Sequence, residues 1–275
     1  PPSIAFFSME IGLESDIPTY SGGLGILAGD ILYKAADLEI PIIAITLCYA
    51  SGYFYQMIGP DGTQISKNIR WQYSSSFDRL PRTIDLEIQG KTYKIGAWTY
   101  NIIGKRNGFV IPIFLLDSNI EGNEDWFRQI THTLYIGEPF YRIIQEAILG
   151  IGGVRLIHEL CFDNIDTYHL NESHACLAIL ELLRKYKNIE AVKNKIAFTV
   201  HTPVPAGHER FSYDLAYDVL RDLIPENIHE LAGENELNLT KLGLNCSRYI
   251  NAVSKNHLKV MRKMYPQYNI DGITN

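Results

Sequence analysis

Short apolar runs alternate along the chain with longer stretches whose apolar residues recur every three or four positions. Residues 4–7 and 40–47 are apolar runs of the length of buried strands, and the apolar positions between 24 and 38 have helical spacing. Strand, helix and strand in this order predict a βαβ unit with parallel strands.

Residues 50–118 have a different pattern. Aromatic and β-branched residues dominate, the turn sequences Gly59-Pro60-Asp61-Gly62 and Gln89-Gly90 interrupt them, and residues 84–88 alternate between apolar and acidic side chains. This alternation is typical of an antiparallel strand with one buried face. We predict a β-rich insertion over about 50–118.

Helical spacing returns at about Glu124, and the longest helical segment covers residues 140–160. Gly150, Gly152 and Gly153 lie inside it, although each glycine costs a helix about 1 kcal/mol relative to alanine. Their presence predicts either close packing against another backbone or a kink.

The α/β alternation resumes in the second half of the chain. We predict strands at 163–170, 195–200 and 249–253, and helices at 175–187 and 255–264, with two more helices across 212–245. The predicted fold is a Rossmann-like α/β domain: a parallel sheet with helices on both faces and the β-rich insertion, all within one domain of residues 1–275.

Composition excludes several classes of protein. The 275 residues are 46% hydrophobic, and the formal net charge of −6 leaves no basic surplus for nucleic acid. No apolar run reaches the length of a membrane span, and no signal peptide is recognisable. The cysteines have no Cys-x-x-Cys spacing and predict reduced core residues of a cytoplasmic protein: Cys48, Cys161, Cys176 and Cys246.

A glycine-rich turn, Ser21-Gly22-Gly23-Leu24-Gly25, joins the first strand region to the first helix. Glycines let an anion approach the backbone, and the N-terminus of the following helix offers N–H groups and a positive dipole end. The turn therefore predicts a phosphate site, although glycine turns also occur for packing reasons alone.

Polar residues follow three predicted strands, at Ser8-Met9-Glu10, at residues 169–174 and at His201-Thr202. The carboxyl ends of parallel strands share one edge of a sheet, so these groups and the glycine turn are expected to converge there. Two alternatives are structural: Asn171 as a helix cap, and His201 as a surface residue at a strand end. We expect Pro203 and Pro205 to stiffen the loop after His201. Metal-hydrolase and serine-triad motifs are absent from the sequence, so a hydrolase of either kind is not expected.

Six separate segments together resemble the α-glucan phosphorylases, which act on glycogen, starch and maltodextrins, and especially their shorter bacterial and archaeal branch. The segments are Ser8-Met9-Glu10 and residues 19–30, 148–155, 169–174, 200–208 and 253–254. The resemblance implies the N-terminal half of a GT-B enzyme, which cleaves terminal α-1,4-linked glucose with inorganic phosphate to give glucose 1-phosphate with retention of configuration.

The resemblance also implies roles for individual residues. The backbone at Gly22, Gly23, Leu24 and Gly25 would lie against the reacting phosphate and the glucosyl unit. His201 would hold the 6-hydroxyl of the sugar, and its carbonyl would face the developing positive charge. The same cleft would be lined by Glu10, Asn171, Glu172, His174 and Thr202.

Members of this family carry pyridoxal phosphate on a lysine of a second, C-terminal domain, which is expected to be missing from this chain. By resemblance the full-length enzyme would be a homodimer, and this chain alone would be inactive. Ser21 and Glu172 depart from the asparagine and aspartate of many relatives. Two alternatives remain: a glycogen or starch synthase, disfavoured because Tyr20-Ser21 precede Gly22 where a lysine is usual, and a non-catalytic glucan-binding module.

Overall fold

The computed structural model describes residues 1–51, 55–67, 70–202, 204 and 207–275. Within these residues the strands are β1 (Ile4–Ser8), β2 (Ile42–Leu47), β3 (Tyr55–Ile58), β4 (Gln64–Lys67), β5 (Asp78–Arg79), β6 (Ile84–Ile88), β7 (Lys91–Ile103), β8 (Val110–Asp117), β9 (Thr167–Asn171), β10 (Ile196–Val200), β11 (Arg210–Ser212), β12 (Glu236–Asn238), β13 (Tyr249–Ala252) and β14 (Asp271–Gly272). The α-helices are α1 (Gly23–Asp37), α2 (Pro139–Ala147), α3 (Gly153–Glu159), α4 (Ala178–Tyr186), α5 (Ile189–Lys193), α6 (Tyr213–Leu220), α7 (Ile228–Ala232), α8 (Leu239–Asn245) and α9 (Lys255–Met264).

The central strands are parallel and lie in the order β8-β2-β1-β9-β10-β13-β14. β7 extends this sheet as the antiparallel neighbour of β8, and β5 and β6 pair with β7. β1 therefore lies in the middle, and the strand order reverses between β1 and β9. This is the doubly wound arrangement, so the predicted Rossmann-like fold is confirmed.

The central strands β1 and β2 pack against helices on both of their faces. Phe6 and Ala44 point towards α1, where Ala28 and Leu32 are also fully buried. The alternate strand residues belong to a second, larger apolar cluster with α2, α3 and α4: Ala5, Phe7, Ile43 and Ile45. Because successive strand residues point to opposite faces, a strand buried on both faces must be apolar throughout, as these runs are.

The region 50–118 contains β3 to β8. β3 and β4 form one antiparallel hairpin around the Gly59–Gly62 turn, and β6 and β7 form another around Gln89-Gly90. The inward residues of β6 alternate with exposed ones, as the sequence pattern predicts. β8, at the end of this region, pairs in parallel with β2 and so belongs to the central sheet.

The long predicted helix is formed by α2, a π-helical turn at Ile148–Gly152, and α3. A Cβ atom on Gly150 would lie 2.3 Å from the backbone nitrogen of Ala178, and one on Gly153 would lie 2.6 Å from the Phe7 ring. Close packing and a local helix irregularity are thus both present. Gly152 differs, because its nearest neighbour would be 3.7 Å away.

Two local predictions were wrong. Residues 212–245 form three α-helices, α6, α7 and α8, because α7 ends at Gly233 with φ of 109° and β12 intervenes before α8. Cys161 is exposed in the turn after α3, with φ of 59°, whereas the other three cysteines are buried.

Pro203 and Pro205 lie outside the described residues. Among the described helices, none combines the length and the apolar character that crossing a membrane would require.

The contrast between Gly150 and Gly152 can be tested by two alanine substitutions in the same helical turn. We expect Gly150→Ala to destabilise the protein by about 1–3 kcal/mol, because the added methyl group overlaps the backbone of α4. Gly152→Ala should stay within about 1 kcal/mol of wild type. Urea unfolding followed by circular dichroism measures both, and equal losses would contradict the packing explanation.

Candidate active site

The candidate site lies at the carboxyl edge of the sheet, where the strand order reverses between β1 and β9. Ser8, the last residue of β1, stands opposite Asn171, the last residue of β9, and Asn171 stands opposite Thr199 of β10. This edge at the reversal point is where open α/β sheets bind ligands. The segments predicted to converge follow these three strands.

The glycine turn lies at the same edge of the sheet, where it forms the N-terminus of α1. Gly22 is the N-cap residue, and no side chain caps the helix. A Cβ atom on Gly22 or Gly23 would meet nothing within 4 Å, whereas one on Gly25 would lie 2.4 Å from Cβ of Tyr20 and 2.8 Å from Oε2 of Glu10. Gly25 is therefore needed for packing, while Gly22 and Gly23 leave open space in front of the helix N-terminus, as a bound anion would need.

The side chain of Glu10 holds this turn by hydrogen bonds to its backbone. Its side chain is buried, and Oε2 accepts hydrogen bonds from the backbone N–H of Ser21 (2.6 Å) and of Gly22 (3.2 Å). Oε1 accepts a hydrogen bond from the hydroxyl of Tyr135. With both oxygens engaged, Glu10 holds the turn in place.

A relay of hydrogen bonds connects β1, β9 and β10. The Ser8 hydroxyl donates to the carbonyl of Glu10 (2.7 Å), so its oxygen accepts from Nδ2 of Asn171 (3.0 Å). Oδ1 of Asn171 then faces Nε2 of His201 at 2.7 Å. Because Oδ1 can only accept, Nε2 of His201 must carry the proton. The neutral His201 ring consequently presents Nδ1 as an acceptor.

Glu172 is the most constrained residue of the site. Its φ of 73° and ψ of 167° are a conformation that few residues other than glycine adopt. Oε1 accepts the N–H of Ser173 (2.7 Å), and Oε2 accepts the N–H groups of His201 (2.8 Å) and Thr202 (3.0 Å) and the Thr202 hydroxyl (3.1 Å). Glu172 thus ties the end of β9 to the end of β10.

The charges of this cluster follow from burial and from neighbouring donors. Burial alone would raise the pKa of Glu172, but the N–H groups of Ser173 and His201, which donate to its carboxylate, outweigh burial and lower the pKa. Burial and the Arg142 charge lower the pKa of His174 to about 3, and burial also lowers the pKa of His201. At neutral pH the site has ionised Glu172 between two neutral histidines.

All the predicted residues lie at this edge, but they take different positions in it. Asn171 and Glu172 have their polar atoms engaged within the protein, whereas Gly22 and Gly23 face open space and His201 is half-buried. Asn171 is bonded to His201 and Ser8, not to a helix end, so it is not a helix cap.

Two residues of the site were missed by the sequence reasoning. Tyr135, with φ of 57°, packs against the His174 ring at 5.5 Å and bonds Glu10. Arg142 of α2 lies 4.8 Å from the centre of the Tyr135 ring. No spacing pattern in the sequence assigns either residue to the site. Tyr135 lies in an irregular loop, and Arg142 is one of several polar residues on helix α2.

Fold and site together define a doubly wound α/β domain with an open glycine turn at the reversal point of its sheet. Residues 19–275 match the family described as "Starch synthase catalytic domain", and the chain belongs to this glycosyltransferase family.

Relatives with assigned names match almost the whole chain. Maltodextrin phosphorylase of Thermococcus litoralis is 34% identical over 99% of this chain and 35% of its own length. Glycogen phosphorylase of Mycobacterium tuberculosis is 34% identical over 96% of this chain and 34% of its own length. Glycogen phosphorylase of Aquifex aeolicus is 31% identical over 99% of this chain and 43% of its own length. The chain thus spans about a third of the length of the first two relatives, and the resemblance to phosphorylases is confirmed.

The bonds of Glu172 predict a stability that depends on pH. Because its pKa in the folded protein lies below the ordinary 4.5, the stabilisation is complete above that value and is lost as the pH falls through the folded pKa. Glu172→Gln should lower the free energy of unfolding by about 2–3 kcal/mol at neutral pH. Urea unfolding from neutral to acid pH measures this, with exposed Glu226→Gln as the control. A deficit that does not shrink in acid would contradict an ionised Glu172.

The relay predicts the tautomer of His201. Nitrogen NMR of labelled histidine should show neutral His201 with its proton on Nε2 at neutral pH. Asn171→Asp keeps an acceptor there and adds a negative charge, so it should retain this tautomer and raise the pKa of His201. Asn171→Ala should let the proton redistribute between the two nitrogens. A proton on Nδ1 of His201 in the wild-type protein would contradict the hydrogen bond that Nε2 donates to Asn171.

Proposed function

We propose that this chain forms one wall of the active site of an α-glucan phosphorylase. Such an enzyme cleaves the terminal α-1,4-linked glucose of a glucan or maltodextrin with inorganic phosphate and releases glucose 1-phosphate with retained configuration. The observation that carries the proposal is the open glycine turn at the same sheet edge as His201, in a chain that aligns over almost all its length with named phosphorylases.

In this proposal the residues divide into those that contact the substrates and those that position them. Nδ1 of His201 accepts a hydrogen bond from a sugar hydroxyl, the 6-hydroxyl by resemblance, and its carbonyl faces the positive charge that develops on the glucosyl carbon. The backbone of Gly22, Gly23 and Leu24 faces the phosphate, whose negative charge the N-terminus of α1 stabilises.

The remaining predicted site residues act mainly from behind this surface. Glu10 sets the position of the glycine turn, and Asn171 sets the tautomer of His201. Glu172 fixes the backbone of His201 and Thr202 through their N–H groups. Neutral His174, next to Glu172, adds no positive charge to the cleft. Such fixed polar groups need no reorganisation as the reaction proceeds, which is how preorganised sites lower a barrier.

The cofactor expected of such an enzyme is pyridoxal phosphate, whose phosphate group supplies a proton to the substrate phosphate and takes one back. None of the site residues is a lysine, so none of them can carry the cofactor covalently. What this chain offers is the open space at Gly22 and Gly23, where a phosphate group would fit. We expect the lysine that carries the cofactor to come from a second domain. A homodimeric, cytoplasmic full-length enzyme belongs to the same proposal.

A second candidate is a glycogen or starch synthase, which would use a sugar nucleotide as donor. The family match favours it, since the family is described by a starch synthase domain. The glycine turn disfavours it, because Tyr20-Ser21 stand where a synthase usually has a lysine. A glucan-binding module without activity is the third reading, and it predicts binding without turnover.

The experiment separates the three readings on the complete gene product. Maltodextrin and inorganic phosphate are supplied in one reaction, and maltodextrin and a sugar-nucleotide donor in another. We expect glucose 1-phosphate from the first, and a fall in kcat/KM of about tenfold or more in His201→Ala, because one substrate hydrogen bond is lost. Exposed His229→Ala is the matched control. If glucose is incorporated into the glucan only from the sugar nucleotide, the protein is a synthase. If maltodextrin binds but neither reaction gives a product, the protein is a glucan-binding module.

A further inference from the structure

A buried carboxyl group with no role in the proposed reaction lies behind the site. Glu146 of α2 has no exposed side-chain surface, and its Oε1 accepts a hydrogen bond from Nε of Arg142 at 2.7 Å. Its Oε2 is buried and, as an ionised oxygen, has no hydrogen-bond partner among the described residues. A buried acceptor of this kind is costly, so the group calls for an explanation.

A second carboxyl group shares the same guanidinium. Oε1 of Glu209 lies 3.2 Å from Nε of Arg142, and its side chain is 21% exposed. One oxygen of Glu146, one oxygen of Glu209 and one ring nitrogen of His174 lie within 4.8 Å of one another. Two ionised carboxylates would leave one negative charge uncompensated in a buried place, which is strongly unfavourable.

The other titratable groups around Glu146 do not supply the missing positive charge. His174 is neutral at neutral pH because its pKa is about 3. The phenol of Tyr49 and the thiol of Cys176 lie close enough to interact with the charge of Glu146, but burial raises the pKa of each, so both stay uncharged. The guanidinium of Arg142 already occupies the place beside both carboxyl groups, which leaves a proton as the simplest compensation.

We propose that Glu146 is a neutral carboxylic acid whose Oε2–H donates a hydrogen bond to the Glu209 carboxylate, so that the two side chains share one proton beside Arg142. This assignment gives the buried Oε2 a partner and leaves one negative charge for one guanidinium. It agrees with the pKa of Glu146, which burial and the Glu209 charge raise well above its ordinary value of 4.5, with Arg142 only partly offsetting them.

The shared proton makes Glu146 a positioning residue for the glycine turn. The pair holds Arg142, Arg142 lies over the ring of Tyr135, and Tyr135 bonds Glu10, which in turn holds the backbone of Ser21 and Gly22. The protonation state of Glu146 does not depend on whether the enzyme is a phosphorylase.

The test replaces Glu146 by its neutral isostere. Because the native acid stays protonated while the unfolded chain ionises, wild type loses stability relative to Glu146→Gln as the pH rises above 4.5. The urea midpoint of Glu146→Gln, relative to wild type, should therefore rise between about pH 5 and about pH 8. Infrared spectra at neutral pH should show the carbonyl stretch of a protonated acid, lost in Glu146→Gln and kept in exposed Glu190→Gln.

Three outcomes decide the proposal. If the urea midpoint of Glu146→Gln, relative to wild type, falls as the pH rises, Glu146 is ionised and paired with Arg142, and the proposal is wrong. Glu209→Gln provides a second route, since removal of the Glu209 charge should weaken the acid band at neutral pH, and an unchanged band would contradict proton sharing. Calorimetry with Zn²⁺ alone tests the remaining possibility: one equivalent bound by wild type and lost in Glu146→Gln would place a cation where we place the proton.

Discussion

The candidate site depends on one buried carboxylate that joins the ends of two parallel strands. Glu172 follows β9, yet three of its four accepted hydrogen bonds come from His201 and Thr202 after β10. Its positive φ costs on the order of 1–3 kcal/mol. Hydrogen bonds to a charged acceptor contribute about 1.5–3 kcal/mol each, so several of them readily offset that strain. The strained backbone is therefore the means by which the carboxylate reaches the neighbouring strand.

The other contacts extend this connection across the sheet edge. The relay from Glu10 through Ser8 and Asn171 fixes the ring of His201, whose backbone Glu172 already holds. On the opposite side, Glu10 holds the glycine turn. Most polar atoms of the site are thus satisfied by the protein itself. In the proposed function, a small surface remains for the ligand: the imidazole acceptor of His201 and the open N-terminus of helix α1.

The sequence predicted the elements of this arrangement better than its contacts. The apolar runs and the glycine turn identify β1, α1 and β2, and the polar residues after three strands predict a common edge, because parallel strands share their carboxyl ends. Nothing in the sequence indicates that the oxygens of Glu10 and Glu172 turn inward to backbone N–H groups. Such bonds depend on loop conformations between distant segments, as does the approach of Tyr135 to Glu10, 125 positions away. The predicted helices across 212–245 failed for a similar reason, since β11 and β12 exist only as partners of each other.

The glycines of the turn and of helix α1 have two kinds of surroundings. Gly25 lies against Glu10, and Gly29 lies against the backbone of Gly12, so any added side chain there would disturb the packing that fixes the turn. Gly22, Gly23 and exposed Ser21 face open space, where a change of side chain would alter the ligand surface and leave the fold intact. In the proposed function, the choice between phosphate and a sugar nucleotide would rest on these outward positions and on the opposite wall of the cleft.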